Sequence, residues 1–323
     1  MLRTYLTGTL AFRYPLVGAP MAGVAGGDLA RVVSEAGGLG MIGVGSRDSP
    51  EFVDREVAVA RAQDPGLRLG VGLMAWDLQQ RPEMLEAVTG MRPYLVSVSF
   101  GSPQLYVEAL HRAGALVATQ VHTRAEAVLA DRAGVDLVVA QGHEAGGHTG
   151  SVGSLPLLQI VLDATSRPVL AAGGIASPAG VAACLAAGAQ GVWVGTAFTV
   201  CPESRNPPQA VERILAAAES ETVRTHLFDR AQGVPWPEEF PGRALRNRFT
   251  DRWHGREAEM LEDPSAAEEF RRARQEGDYT VAHVYAGQAV GLLDSARPAG
   301  EVVRRLMEGA EALLRERLAG LVG

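Results

Sequence analysis

The sequence contains no lysine, and all 30 of its Lys or Arg residues are arginines. Any phosphate that the protein binds must therefore be held by arginine, by hydroxyl groups or by backbone N–H groups. The formal net charge is −7. Because non-specific binding to nucleic acid needs a basic surface, this charge argues against a nucleic-acid partner.

Cysteine is also scarce, since Cys184 and Cys201 are the only two in the chain. Two isolated cysteines exclude a disulfide framework and a cysteine-based zinc site. Cys184 lies in an alanine-rich stretch that favours a helix, so we expect a buried core residue. No cluster of His, Asp and Glu suggests a metal, and no G-x-S-x-G or paired Cys/His motif suggests a covalent nucleophile.

Long apolar runs are absent as well. No stretch reaches the roughly 18–20 apolar residues that span a membrane, and residues 1–16 lack the layout of a signal peptide. We therefore expect a cytoplasmic protein with no membrane partner. The sequence leaves the oligomeric state open, with a homodimer as one option.

The chain does contain a regular series of eight short apolar runs separated by amphipathic segments. The runs lie at 16–19, 39–44, 67–73, 94–100, 115–121, 136–140, 168–172 and 191–198. Continuous apolar runs are typical of parallel strands buried on both faces. Eight strand–helix units predict a (β/α)8 TIM barrel over residues 1–202. An open doubly wound sheet is the alternative, but no G-x-G-x-x-G motif opens the first helix.

The regular pattern ends after Cys201. Residues 203–290 are richer in Arg, Glu and Pro, which predicts a smaller, mainly helical lid or substrate region. Residues 291–323 contain apolar positions at helical spacing. They predict a C-terminal helix that packs back on the barrel.

Residues 141–150 follow the sixth apolar run and contain four glycines, Glu144 and two histidines. Loops after parallel strands are where α/β proteins place their chemistry, and glycine lets the backbone approach a ligand. His148 is the predicted catalytic residue, because histidine transfers protons near neutral pH. We expect His143 to be structural and Glu144 to orient the loop by accepting backbone N–H bonds. The remaining histidines lack ligand spacing and receive a structural interpretation: His111, His122, His226, His254 and His283.

Two further glycine-containing segments lie just after the seventh run, at Gly173-Gly174, and within the eighth run, at Gly195-Thr196. Barrel enzymes frequently bind phosphate with these two loops. Glycine has no Cβ to block the phosphate, and Thr196 adds a hydroxyl donor. The helix capped by Ser177 also favours an anion at its N-terminus. The small residues at 18–23, after the first run, allow a flat ligand to lie over the barrel mouth.

Together these motifs resemble the nitronate monooxygenase family, formerly called 2-nitropropane dioxygenases. The resemblance is carried by residues 18–23, by E-A-G-G-H-x-G at 144–150, and by 172–175, 194–198 and 285–288. It implies a TIM barrel that holds FMN non-covalently across its C-terminal mouth, with His148 as the catalytic base. The cofactor-binding residues that it implies are Ala19, Pro20, Met21, Ala22, Gly72, Gln120, Gln141, Gly146, Gly147, Gly173, Gly174, Val194, Gly195 and Thr196.

The resemblance further implies oxidation of small alkyl nitronates, or of nitroalkanes, by O2 to a carbonyl compound and nitrite. One departure is Gly72, where relatives usually carry Asn, so a contact to the flavin or phosphate is missing or made by a neighbour. FMN-dependent NAD(P)H:quinone reductases and enoyl-ACP reductases share the same cofactor motifs and remain alternatives. A phosphate-binding barrel isomerase or lyase without flavin, and a non-catalytic flavin-binding protein, are alternatives from other classes.

Overall fold

The computed structural model describes residues 2–321, and eight parallel strands form its centre. Their order around the sheet is β1-β9-β8-β6-β5-β4-β3-β2. The two ends of this sheet meet at a parallel bridge between Val17 and Leu39, where the Gly18 N–H donates to the Leu39 carbonyl at 2.9 Å. The sheet therefore closes, which confirms the predicted barrel and excludes the open doubly wound sheet.

The strands lie close to the predicted apolar runs, with helices between them. The barrel strands are β1 Leu16–Gly18, β2 Met41–Gly43, β3 Gly70–Met74, β4 Leu95–Ser99, β5 Leu116–Val121, β6 Leu137–Gln141, β8 Val169–Ala172 and β9 Gly191–Val194. Three further strands are β7 Gly147–His148, β10 Thr222–Thr225 and β11 Gly242–Leu245. The first nine helices are α1 Tyr5–Gly8, α2 Gly27–Glu35, α3 Pro50–Ala60, α4 Ala75–Leu78, α5 Glu83–Gly90, α6 Gln104–Arg112, α7 Arg124–Ala133, α8 Ser154–Ala164 and α9 Pro178–Ala186. The others are α10 Pro208–Leu215, α11 Leu227–Gln232, α12 Arg248–Trp253, α13 Glu257–Glu262, α14 Pro264–Glu276 and α15 Ala299–Leu321, with short 3₁₀ helices at Thr196–Phe198 and Gln288–Leu292.

One end of the barrel is closed by apolar side chains. Val17, Leu137 and Trp193 belong to a buried cluster inside the barrel that also includes Leu6 and Phe12 from the N-terminal segment. A side chain at Gly191, the first residue of β9, would collide with Leu6. Because Leu6 lies where the strands begin, a ligand can enter only from the C-terminal ends of the strands.

The segment at 203–290 is mainly helical, as predicted, but it also contains two strands that the sequence analysis did not anticipate. The strands β10 and β11 pair antiparallel, and β11 pairs in turn with β7 from the loop after β6. His148, which we predicted on a loop, lies in β7 opposite Gly242. The segment has its own apolar cluster around Phe228 and Phe270.

The C-terminal helix α15 packs against α9 and α2. Val303, Leu306 and Met307 on this helix are buried in the core between the barrel strands and their surrounding helices. The division of the chain at residues 202 and 290 stays a prediction. No helix within residues 2–321 combines the length and the apolar character that a membrane span requires.

Candidate active site

A cavity enclosing about 410 Å³ opens at the C-terminal ends of the barrel strands. Its volume falls in the range of cofactor and small-molecule sites. All of the predicted cofactor-binding residues line this cavity except Val194: Ala19, Pro20, Met21, Ala22, Gly72, Gln120, Gln141, Gly146, Gly147, Gly173, Gly174, Gly195 and Thr196. Val194 is buried in β9, and its carbonyl accepts the Ala19 N–H at 2.8 Å. It therefore connects two strand ends and does not face the cavity.

The loops after β8 and β9 form one wall with their backbone. Gly173 and Gly174 have φ angles of +98° and +74°, which are strained for any residue with a side chain. Within residues 2–321, the backbone N–H groups of Gly173, Gly174, Gly195 and Thr196 have no hydrogen-bond partner. Unpaired N–H groups on residues that line a cavity are suited to bind an anion.

The loop after β6 is held by groups on both sides. The Glu144 carboxylate accepts the Ser154 N–H at 2.9 Å, which is the orienting role that we predicted. The Glu144 carbonyl accepts the Gln288 N–H at 2.9 Å, and Thr196 Oγ1 accepts the Gly287 N–H at 3.0 Å. The Thr196 hydroxyl therefore keeps its own hydrogen available for a ligand.

Gly72 has a packing role that the sequence did not indicate. A Cβ atom at this position would collide with the ring of Pro20. The proline ring thus occupies the space that a larger residue at position 72 would need. Pro20, and not a side chain from β3, forms the cavity wall at this point.

His148 is buried, with 8% of its surface exposed, and lines the cavity. Its Nε2 lies 3.0 and 3.1 Å from the two carboxylate oxygens of Asp229 on α11. The imidazole stacks on Trp236 with ring centroids 3.4 Å apart and planes 6° apart. Sequence reasoning missed both partners, although both lie in the segment at 203–290 that we predicted as a lid or substrate region.

Residues on and after α14 complete the surroundings of this histidine. Tyr285, His283 and Arg274 line the cavity, and the Tyr285 hydroxyl donates to Asp229 Oδ1 at 3.2 Å. Burial raises the pKa of Tyr285 well above 10, with Asp229 adding to the effect, so this hydroxyl keeps its proton. Burial lowers the pKa of His283 to about 3, and that ring is therefore neutral. The structural interpretation of His283 overlooked its place at the cavity.

His122 has an indirect connection to the cavity. It is 2% exposed, and its Nε2 lies 2.7 Å from Gln141 Oε1 while its Nδ1 lies 3.2 Å from Glu126. This histidine therefore fixes the amide of Gln141, which lines the cavity. The structural interpretation of His122 holds, but the group that it positions belongs to the site.

The pKa of His148 is lowered, and the main cause is burial, which disfavours the charged imidazolium. The hydrogen bond and charge of Asp229 oppose this shift, whereas His226 adds to it. His148 is therefore neutral near pH 7 and able to accept a proton. A neutral histidine hydrogen-bonded to the Asp229 side chain, at the wall of a cavity, is an arrangement that can perform base catalysis.

Trp236 contributes to this burial, which can be tested directly. In Trp236→Ala, water reaches the imidazole, so we expect the pKa of His148 to rise toward its ordinary value of 6.5. Trp236→Phe keeps an aromatic ring in the stack and should change the pKa less. The measurement is an NMR titration of the imidazole resonances against pH. An unchanged pKa in Trp236→Ala would show that the indole does not shield His148.

Comparison with known proteins gives the family. A family model for nitronate monooxygenase matches residues 68–309. The chain is 32% identical to a nitronate monooxygenase of Neurospora crassa, over 93% of this chain and 90% of the relative. It is 31% identical to a nitronate monooxygenase of Pseudomonas aeruginosa, over 84% of this chain and 98% of the relative.

Solved structures agree with this match. FabK from Thermotoga maritima superposes with a TM-score of 0.85 at 31% identity, over 99% of this chain and 100% of the other. A nitroalkane oxidase from Streptomyces ansochromogenes superposes with a TM-score of 0.80 at 30% identity, over 97% and 99% of the two chains. The family match and these relatives show that the chain belongs to the nitronate monooxygenase family of oxidoreductases.

Proposed function

We propose that the protein binds FMN non-covalently in the cavity and oxidises small alkyl nitronates with O2, giving a carbonyl compound and nitrite. The main support for this proposal is that an anion-binding wall and a neutral histidine line the same cavity. Unpaired backbone N–H groups line the wall formed by Gly173, Gly174, Gly195 and Thr196, and neutral His148 lies on another wall. The names of the relatives support the substrate class.

The residues of the cavity fit FMN. The four N–H groups and the Thr196 hydroxyl would hold the phosphate, as anions are held at such loops in barrels. Gln141 and the small residues at 19–22 would lie along the ring system. FMN, when bound, supplies an acceptor for the electron pair of the substrate carbon and passes the electrons to oxygen.

The side chains then have distinct tasks. His148 takes the proton from the carbon beside the nitro group of a nitroalkane, whereas a nitronate has already lost that proton. Phe100, whose φ of 61° is uncommon for an aromatic residue, packs edge to face on Trp236 at 5.0 Å. These rings keep water away from the base, which is why burial dominates its pKa.

The proposed location in the cytoplasm rests on the state of the cysteines. Cys184 and Cys201 are unpaired, as is usual in the reducing cytoplasm where we place the protein. Burial raises the pKa of Cys201 to about 12 and that of Cys184 to about 11, so neither thiol is a nucleophile at neutral pH. A homodimer stays a prediction.

The cofactor can be identified first. We expect one FMN per chain, because the cavity offers a cradle for a single phosphate and the fold lacks the dinucleotide fingerprint. The measurement is heat release of the cofactor followed by mass spectrometry and an absorbance ratio of flavin to protein. Release of FAD, or no binding of flavin after reconstitution, would contradict the proposal.

Gly195→Val tests the phosphate cradle. A Cβ at this position meets only Met21 Sδ at 3.4 Å and Ala19 Cβ at 3.5 Å, and its φ of −112° suits any residue. The fold should therefore survive while the larger side chain displaces the phosphate and most of the flavin is lost. The control is Gly90→Val at the exposed end of α5, where a side chain meets nothing. A Gly195→Val protein as yellow as wild type would show that this loop is only a turn.

His148→Ala tests the base. We expect this variant to keep FMN and to lose turnover of a neutral nitroalkane by ~10² or more. Turnover of a pre-formed nitronate should fall much less, because no deprotonation is needed. His254→Ala, at an exposed histidine outside the cavity, is the matched control. Wild-type rates with the nitroalkane would refute the assignment.

A stopped-flow comparison of flavin reduction decides between the proposed activity and the reductase alternative. NADH, NADPH and a short alkyl nitronate are mixed anaerobically with the enzyme. The proposal requires rapid bleaching by the nitronate and almost none by the nicotinamides. If the enzyme oxidises neither nitronate nor nitroalkane and instead consumes NADH with a quinone, the reductase function replaces the proposed one.

A further inference from the structure

We propose that Asp229 is a positioning residue that holds the ring proton of His148 on Nε2 and leaves Nδ1 as the atom that accepts the substrate proton. This inference rests on the proposed function, in which His148 is the base. It assigns the two nitrogens different tasks and brings a residue from outside the barrel into the reaction.

The hydrogen-bond geometry fixes the proton. Both carboxylate oxygens of Asp229 lie within 3.1 Å of the same ring nitrogen, Nε2. An ionised carboxylate can only accept hydrogen bonds, so the hydrogen between the two groups belongs to Nε2. The Tyr285 hydroxyl donates to the same side chain at 3.2 Å, so Asp229 acts as an acceptor toward this group as well.

The other ring nitrogen is free. Within residues 2–321, the hydrogen bonds of the His148 ring are made by Nε2, and none involves Nδ1. A neutral imidazole with its proton on Nε2 carries a lone pair on Nδ1. With the proton on Nδ1 instead, that atom could not act as a base, and the Nε2 lone pair would face a negative charge.

The ring has little freedom to exchange its two nitrogens. Trp236 stacks on one face, and β7 holds the backbone of His148 opposite Gly242. A side chain at Gly242 would come within 3.3 Å of Nε2 and 2.8 Å of the Tyr285 ring. Glycine at this position therefore leaves room for the edge of the imidazole that faces Asp229.

Several titratable and charged groups surround the His148 ring, and Asp229 supplies the carboxylate among them. The others are His226 immediately before α11, Arg274 on α14, and His283 and Tyr285 beyond it. Its replacement by asparagine removes the negative charge that opposes the effect of burial on His148. An amide can also donate a hydrogen to Nε2, which stabilises the tautomer with the proton on Nδ1.

The kinetic test uses Asp229→Asn in the flavin-loaded enzyme. We expect FMN to be retained and kcat for a neutral nitroalkane to fall by ~10²–10⁴, the range for a base in the wrong tautomer. Turnover of a pre-formed nitronate should fall much less. The acid limb of kcat/KM for the nitroalkane should also move to lower pH, because loss of the carboxylate lowers the pKa of His148. Asp163→Asn, at an exposed aspartate on α8, is the matched control.

Equal losses for both substrates with an unmoved acid limb would mean that Asp229 only stabilises the fold and would overturn the proposal. Conversely, wild-type nitroalkane turnover in Asp229→Asn would show that Asp229 does not control the base. Tyr285→Phe should have a smaller effect, since it leaves the carboxylate and its bond to Nε2 in place.

A second measurement does not depend on the substrate. The ¹⁵N resonances of the histidine ring, assigned to His148 by their loss in His148→Ala, report which nitrogen is protonated. We expect a protonated Nε2 in the wild type and a shift toward protonated Nδ1 in Asp229→Asn. A wild-type ring protonated on Nδ1 would overturn the inference. This result does not depend on substrate turnover, so it can be distinguished from a failure of the proposed oxidation of nitronates.

Discussion

The pairing of β7 with β11 is the interaction on which the candidate site depends. Only two residues of the barrel loop take part, opposite Gly242 and Arg243. The buried guanidinium of Arg243 donates to the His143 carbonyl at 2.9 Å and so holds the same loop from its other end. Through these contacts the segment at 203–290 is fixed on the barrel, and its Asp229 and Trp236 come to lie against His148.

The two halves of the cavity are built from different parts of the peptide chain. The barrel contributes the glycine loops with their unpaired N–H groups, together with side chains such as Gln141 and Phe100. The segment after the barrel contributes side chains, and these decide the charge and polarity around the base. Under the proposed function, cofactor and substrate recognition rest on largely different residues, which explains why cofactor motifs do not reveal the substrate.

The barrel and its glycine loops could be predicted because each leaves a local pattern in the sequence. Continuous apolar runs indicate buried parallel strands, and paired glycines at their ends indicate a backbone that contacts a ligand. Asp229 could not be predicted, since it reaches His148 across 81 residues through a strand of two residues that has no periodicity. The sequence likewise did not indicate that His283 lines the cavity, because the barrel loops opposite it are distant in sequence. Val194 was included with the cofactor-binding residues because the family resemblance marks the whole segment at 194–198, whereas in the structure it is buried in β9.

Because His148 pairs with β11, proton transfer by this histidine depends on the position of the segment at 203–290. Any displacement large enough to separate β7 from β11 would also pull Asp229 and Trp236 away from the imidazole. In such a displaced arrangement His148 would have neither a fixed tautomer nor a dry environment, so it could not act as the proposed base.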